Sequence, residues 1–131
     1  MAGVRPATAA DVLPIVGWIE ELREAVGGPI SVDRAHTART VASLIVSPDG
    51  FAAVAGDGFI AGCLTQTLIN PSQIAQELGW YSRSKTGLAL LRAFEKWATE
   101  RGAALIQLST GAEGLDLSRL GYRLTERAWV K

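Results

Sequence analysis

The chain has 131 residues, 48% of them hydrophobic, which is enough to bury one core; no Pro/Gly/Ser-rich linker separates two, so residues 1–131 are read as a single domain. Lys plus Arg equals Asp plus Glu at 13 each, which excludes a general electrostatic pull toward nucleic acid or an anionic membrane and makes any phosphate recognition local. No basic N-terminus leads into an apolar run, apolar stretches fall well short of the ~20 residues a membrane span needs, and the lone Cys63 cannot form an internal disulfide, so a cytoplasmic, reducing setting is expected.

Val4-Arg5-Pro6 predicts a short first strand. Thr8 and Asp11 have the spacing of a capping box and open a helix whose apolar stripe is Ile15, Trp18, Ile19 and Leu22; Pro14 falls near its first turn, where a missing N–H costs least. After Gly27-Gly28-Pro29, Asp33 caps a second helix over 33–46, with Val41, Leu44 and Ile45 apolar and His36 in the polar register. Residues 51–55 and 59–68 flank Gly56-Asp57-Gly58, predicting two antiparallel strands joined by a hairpin.

Asn70-Pro71-Ser72 breaks the chain before a strand over 74–81. Strict alternation puts Ile74, Leu78 and Trp80 on one face and Ala75, Glu77, Gly79 and Tyr81 on the other, with Glu77 in mid-strand. Next comes the hydroxyl-rich, doubly basic turn Ser82-Arg83-Ser84-Lys85-Thr86-Gly87, then a helix in which Leu88, Leu91, Phe94, Trp97 and Ala98 recur up to Arg101-Gly102. Leu105-Ile106-Gln107-Leu108 reads as a buried strand, 115–120 as a short helix, and 122–130 as an extended segment, either one bent strand or a small hairpin. Trp18, Trp80, Trp97 and Trp129 are spread over four elements without a basic stripe, which marks them as core or interface filler.

The order of strand, polar turn and helix has a chemical meaning. The first turn of a helix carries unpaired N–H groups and a partial positive charge, so an anion there gains hydrogen bonds plus about 0.3 to 1 kcal/mol of dipole attraction. Arg83 and Lys85 would add charge-assisted bonds. Ser84-Lys85-Thr86-Gly87 lacks the Gly-x-x-x-x-Gly-Lys of a nucleotide P-loop, which excludes an NTPase, and one His with one Cys makes no zinc cluster.

Gly87-Leu88-Ala89-Leu90-Leu91 resembles the end of the acyl-CoA signature of the GNAT superfamily of N-acetyltransferases, Arg/Gln-x-x-Gly-x-Gly/Ala followed by x-x-Leu-Leu. In that register Ser82 stands at the Arg/Gln position and Lys85 at the first glycine; a second register places Ser84, Gly87 and Ala89 in the three motif positions. The order of elements across nearly the whole chain extends the resemblance, as does Leu120-Gly121-Tyr122, similar to the family's Leu-Gly-Phe/Tyr. Short members of this kind are common in bacteria and their phages.

The resemblance implies an α/β (α+β) fold: a mixed, mostly antiparallel central sheet of about six or seven strands with a splayed parallel pair, flanked by about four helices. It implies acetyl-CoA as cosubstrate, no metal, and an amine acceptor, with protein lysines, N-terminal amines and small-molecule amines all open. In that scheme pantetheine pairs with the main chain of Tyr81, Ser82 and Arg83, and the pyrophosphate rests on Ser84, Lys85, Thr86, Gly87 and Leu88. Glu77 stands where relatives carry a general base, acting directly or through water. The family tyrosine of Tyr-x-x-Leu-Gly, which protonates the departing thiolate, is Leu117 here, leaving that task to water, Tyr81 or Tyr122. Leu117 and the short loop after Glu77 also point to an alternative, a GNAT-fold module without chemistry that binds a protein partner. Exposed strand edges or the last segment offer a route to a homodimer.

Overall fold

A computed structural model describes residues 3–111 and 114–131. Among the described residues five strands form one sheet in chain order: β1 (Arg5–Pro6), β2 (Gly50–Ala55), β3 (Gly58–Gln66), β4 (Gln73–Ser82) and β5 (Ile106–Gln107). Every neighbouring pair is antiparallel except β4 and β5. Those two are parallel because helix α3 (Gly87–Glu100) carries the chain back to the starting end of the sheet. Helices α1 (Val12–Val26) and α2 (Arg34–Val46) precede β2.

The sheet is sandwiched, which explains why β2 and β3 read as nearly continuous apolar runs. On one face Ala53, Ala55, Ile60, Leu64 and Ala75 pack against Leu90, Leu91, Phe94 and Ala98 of α3. On the other, Ala52, Val54, Phe59 and Ala61 pack against Ile15 of α1 and Val41 of α2. The turn between β2 and β3 is as tight as its glycines suggest: Gly56 has φ 57°, and a side chain at Gly58 would sit 2.7 Å from Tyr81 O. Asp11 ties β1 to the start of α1, accepting from the Thr8 N–H (2.7 Å) and from Arg5 (2.8 and 2.9 Å). No helix among the described residues is long and apolar enough to cross a membrane.

The element count is smaller than expected. In place of six or seven strands and about four helices, the described residues form five strands and three α-helices, with short 3₁₀ turns at Ala9–Asp11 and Ser118–Leu120. The helix expected over 115–120 is only that second turn. The segment 122–130 forms no strand, and Leu124, Trp129 and Val130 are exposed, so Trp129 fills no core. An extended segment becomes a strand only by pairing with an edge, which local propensity does not supply.

Strict alternation along β4 also fails. Ala61 pairs with Gly79 and Gly62 with Glu77, so Leu78 is an extra residue, a β-bulge. Ala75 packs toward α3, but past the bulge Trp80 takes that face, while Tyr81 joins the α1/α2 cluster and Gly79 lies against Phe59. Leu78, expected beside Ile74 and Trp80, is half exposed at 50%.

Candidate functional site

The parallel pairing of β4 and β5 is two residues long, Ala75 opposite Ile106 and Gln76 opposite Gln107. From Glu77 to Ser82, β4 keeps β3 on one side and, among the described residues, has no strand on the other. Glu77 is thus the first residue beyond the last pair, with its bulge at the next position. Its side chain is 8% exposed, and Oε1 accepts the Ser109 N–H at 2.9 Å. Burial pushes its carboxyl up to about 7, against the opposing pull of that N–H. A carboxyl poised near neutrality takes up and releases protons under physiological conditions.

The tip of β4 is anchored from a distant element. Glu21 of α1 accepts from Tyr81 Oη (3.2 Å) and from Arg83 Nε (2.9 Å), and pairs with a second Arg83 nitrogen. The Arg83 guanidinium holds the Glu21 carboxyl below its usual range, while burial and Glu21 together raise the Tyr81 phenol. Trp80 Nε1 donates to Gly87 O at 2.9 Å, fixing the start of α3 against the strand.

The loop between them is held by its own hydroxyls. Ser82 Oγ and Thr86 Oγ1 are 2.6 Å apart, Ser84 N–H donates to Ser82 Oγ (3.2 Å), and Thr86 Oγ1 reaches Ala55 O at 3.2 Å. Leu90 N–H donates to Thr86 O at 3.0 Å, and Lys85–Thr86 form a turn that leads into the first residues of α3. Lys85 and Leu88 are exposed, and a side chain at Gly87 would meet nothing nearer than Trp80 Nε1 at 3.8 Å. Nothing in the protein therefore demands glycine there.

A cleft of about 220 Å³ opens on the α1/α2 side of the sheet. His36, Thr37 and Thr40 of α2 line it together with Phe59 and Ala61 of β3, and the bulge residue Leu78 forms part of its wall.

No protein-family model and no curated protein matches the sequence. Solved structures do match. A predicted acetyltransferase of Clostridium acetobutylicum, solved with acetyl-CoA, is similar over 100% of this chain and 95% of its own, with TM-score 0.81 and 16% identity. A GCN5-related N-acetyltransferase from Ralstonia eutropha JMP134 is similar over 100% and 98%, with TM-score 0.77 and 18% identity. The chain has the GNAT fold. AAC(6')-Iy in complex with the bisubstrate analogue CoA-S-monomethyl-acetylneamine shares it over 100% of this chain and 97% of its own, at TM-score 0.74 and 18% identity.

Within this GNAT fold, Glu77 lies at the parting of the strands, and Tyr81 to Leu88 form one continuous path from β4 into α3. Arg83 departs from expectation in one respect, because its guanidinium is engaged by Glu21 and leaves Lys85 as the loop's other cation. Tyr122 Oη donates to Glu95 of α3 at 2.7 Å, and burial with that bond raises its phenol, so both tyrosines weighed as proton donors already serve carboxylates. Leu117 lies half-buried before the last 3₁₀ turn. Sequence reasoning missed Glu21, the Ser109 amide and the bulge. The first two are 62 and 32 residues from their partners, and no local pattern marks either.

Proposed function

We propose that the chain is an acetyl-CoA-dependent N-acetyltransferase acting on a primary amine by direct attack. The observation that carries this reading is the buried Glu77 carboxyl at the point where β4 and β5 part. The amine nitrogen attacks the thioester carbonyl, the C–N bond forms and the C–S bond breaks. The amine proton passes to Glu77, directly or through one water, and the CoA thiolate takes its proton from solvent. An ammonium of pKa about 10.4 costs roughly 4 to 5 kcal/mol to deprotonate at pH 7, and a base titrating near neutrality suits that task.

Pantetheine would pair with the main chain of Tyr81, Ser82 and Arg83 along the edge of β4 away from β3, where the Arg83 N–H already donates to Asp57 O at 3.4 Å, placing the thioester beside Glu77. The pyrophosphate would take the amides of Ser84, Lys85, Thr86, Gly87 and Leu88, with Lys85 adding charge and the bare Gly87 allowing close approach. Positioning and electrostatics are then the protein's main contributions.

Leu117 and the engaged tyrosines favour a second reading, a GNAT-fold module that binds a protein partner without chemistry. Calorimetric titration with acetyl-CoA decides between them. Binding that weakens in Gly87→Asp supports the enzyme, and silence up to millimolar ligand supports the module. If binding holds, Glu77→Gln is expected to slow turnover by about 10²- to 10⁴-fold; an unchanged rate removes Glu77 as the base.

A further inference from the structure

The cleft behind the β4 bulge has a composition that restricts what it can hold. Its volume of about 220 Å³ is that of about seven liquid waters at roughly 30 Å³ each. Of the ten residues that line it, none is acidic and none is Lys or Arg. The acidic groups nearest along the chain to its α1 and α2 lining are already engaged. Glu20 pairs with Arg34, Glu21 with Arg83, and Asp33 caps α2 by accepting the His36 N–H at 2.9 Å. The Thr37 and Thr40 hydroxyls donate into the helix, to Asp33 O (2.7 Å) and His36 O (3.1 Å), which leaves their oxygens to accept from a ligand N–H.

A second ammonium on the acceptor would find no counter-charge among the residues lining this slot and would gain nothing from its apolar wall. A peptide backbone flanking a lysine would bring amide groups to a wall that is mostly apolar. An apolar body, by contrast, is favoured against Phe59, Ala61 and Leu78. Building on the acetyltransferase reading above, we propose that the acceptor is a small primary monoamine with an apolar body, bound in the cleft between α1, α2 and the β4 bulge. Leu78 directly follows Glu77, whose own side chain, paired across from Gly62, projects toward the α3 face, so an amine seated against this wall would reach it through the gap where β4 and β5 part.

The test follows CoA thiol release with benzylamine, spermidine and an N-terminally blocked lysine peptide as acceptors, on the wild-type chain and on Thr40→Glu. Acetyl-CoA binding is measured separately by calorimetry. The kcat/KM for benzylamine is expected to exceed the other two by about tenfold or more. Thr40→Glu adds a carboxylate at an exposed helix position, and should lower turnover of benzylamine and raise that of spermidine while acetyl-CoA binding is unchanged. A preference for spermidine or the peptide, with acetyl-CoA binding intact, overturns the monoamine assignment and leaves the acetyltransferase reading standing. Acetyl-CoA binding without turnover of any of the three also overturns it. No acetyl-CoA binding removes both.

Discussion

Glu77 combines a cost and a use in one side chain. Its folded pKa of about 7 lies above its ordinary 4.5, so between those values the folded chain holds a proton that the unfolded chain releases. Stability therefore falls as pH rises through that window, the cost is complete above pH 7 and vanishes below 4.5, and it amounts to roughly 3 kcal/mol. Glu77→Gln should accordingly unfold at higher denaturant than wild type at pH 8, and lose most of that advantage at pH 4, in parallel urea titrations. In the acetyl-transfer assay, wild-type kcat/KM should rise with pH through about 7 as the carboxyl deprotonates, and the Gln variant should lack that limb. Gly87 makes a complementary test. A methyl group there has room against Trp80, and alanine is a better helix former, so Gly87→Ala should keep or slightly raise the melting temperature. Its acetyl-CoA affinity should nevertheless drop in calorimetry; unchanged affinity would show that the pyrophosphate does not approach that backbone.

Between elements, two contacts set the shape of the site. Glu21 links α1 to the tip of β4 through Tyr81 and Arg83, yet the Arg83 and Glu21 side chains are 53% and 36% exposed, which limits their effect on stability. Glu21→Gln should leave the urea unfolding midpoint nearly unchanged, because solvent screens the pair. It should raise the KM for acetyl-CoA while leaving kcat nearly unchanged, because the anchored main chain is where pantetheine would pair. Gly62 of β3 is the opposite case. A side chain there would sit 2.5 Å from Phe94 Cε1 and 2.6 Å from Gln76 O, the last residue paired with β5. Gly62→Ala is expected to destabilise by about 1 to 3 kcal/mol in urea unfolding through overpacking. The hairpin at Gly56-Asp57 and most of the α3 stripe, Leu91, Phe94, Trp97 and Ala98, were legible in the sequence, since turn chemistry and helical period act within a few residues, whereas Leu88 of the expected stripe is exposed and Leu90 is buried in its place. The bulge was not, because two-residue alternation has no term for an extra residue that only the partner strand reveals.

Across the whole molecule, the sheet joins two cores, and α3 closes one of them with an aromatic group in which Phe94 lies 5.9 Å from Phe51 and 5.8 Å from Trp97. Phe94→Ala should cost about 3 to 5 kcal/mol in urea unfolding, a large part of the roughly 5 to 15 kcal/mol by which domains are stable. What the sequence alone determined was the order of elements, the single acidic residue within β4, and the polar turn leading into α3, because each depends on period, capping or breaker chemistry over a few neighbours. The tertiary structure decided the rest. The pairing of β4 with β5 ends at Gln76, the Ser109 amide meets Glu77, Glu21 takes Arg83, and the last segment remains outside the sheet. These are contacts between residues far apart in the chain, whose formation depends on which edges and cavities the packed sheet leaves open, and no short-range pattern encodes that.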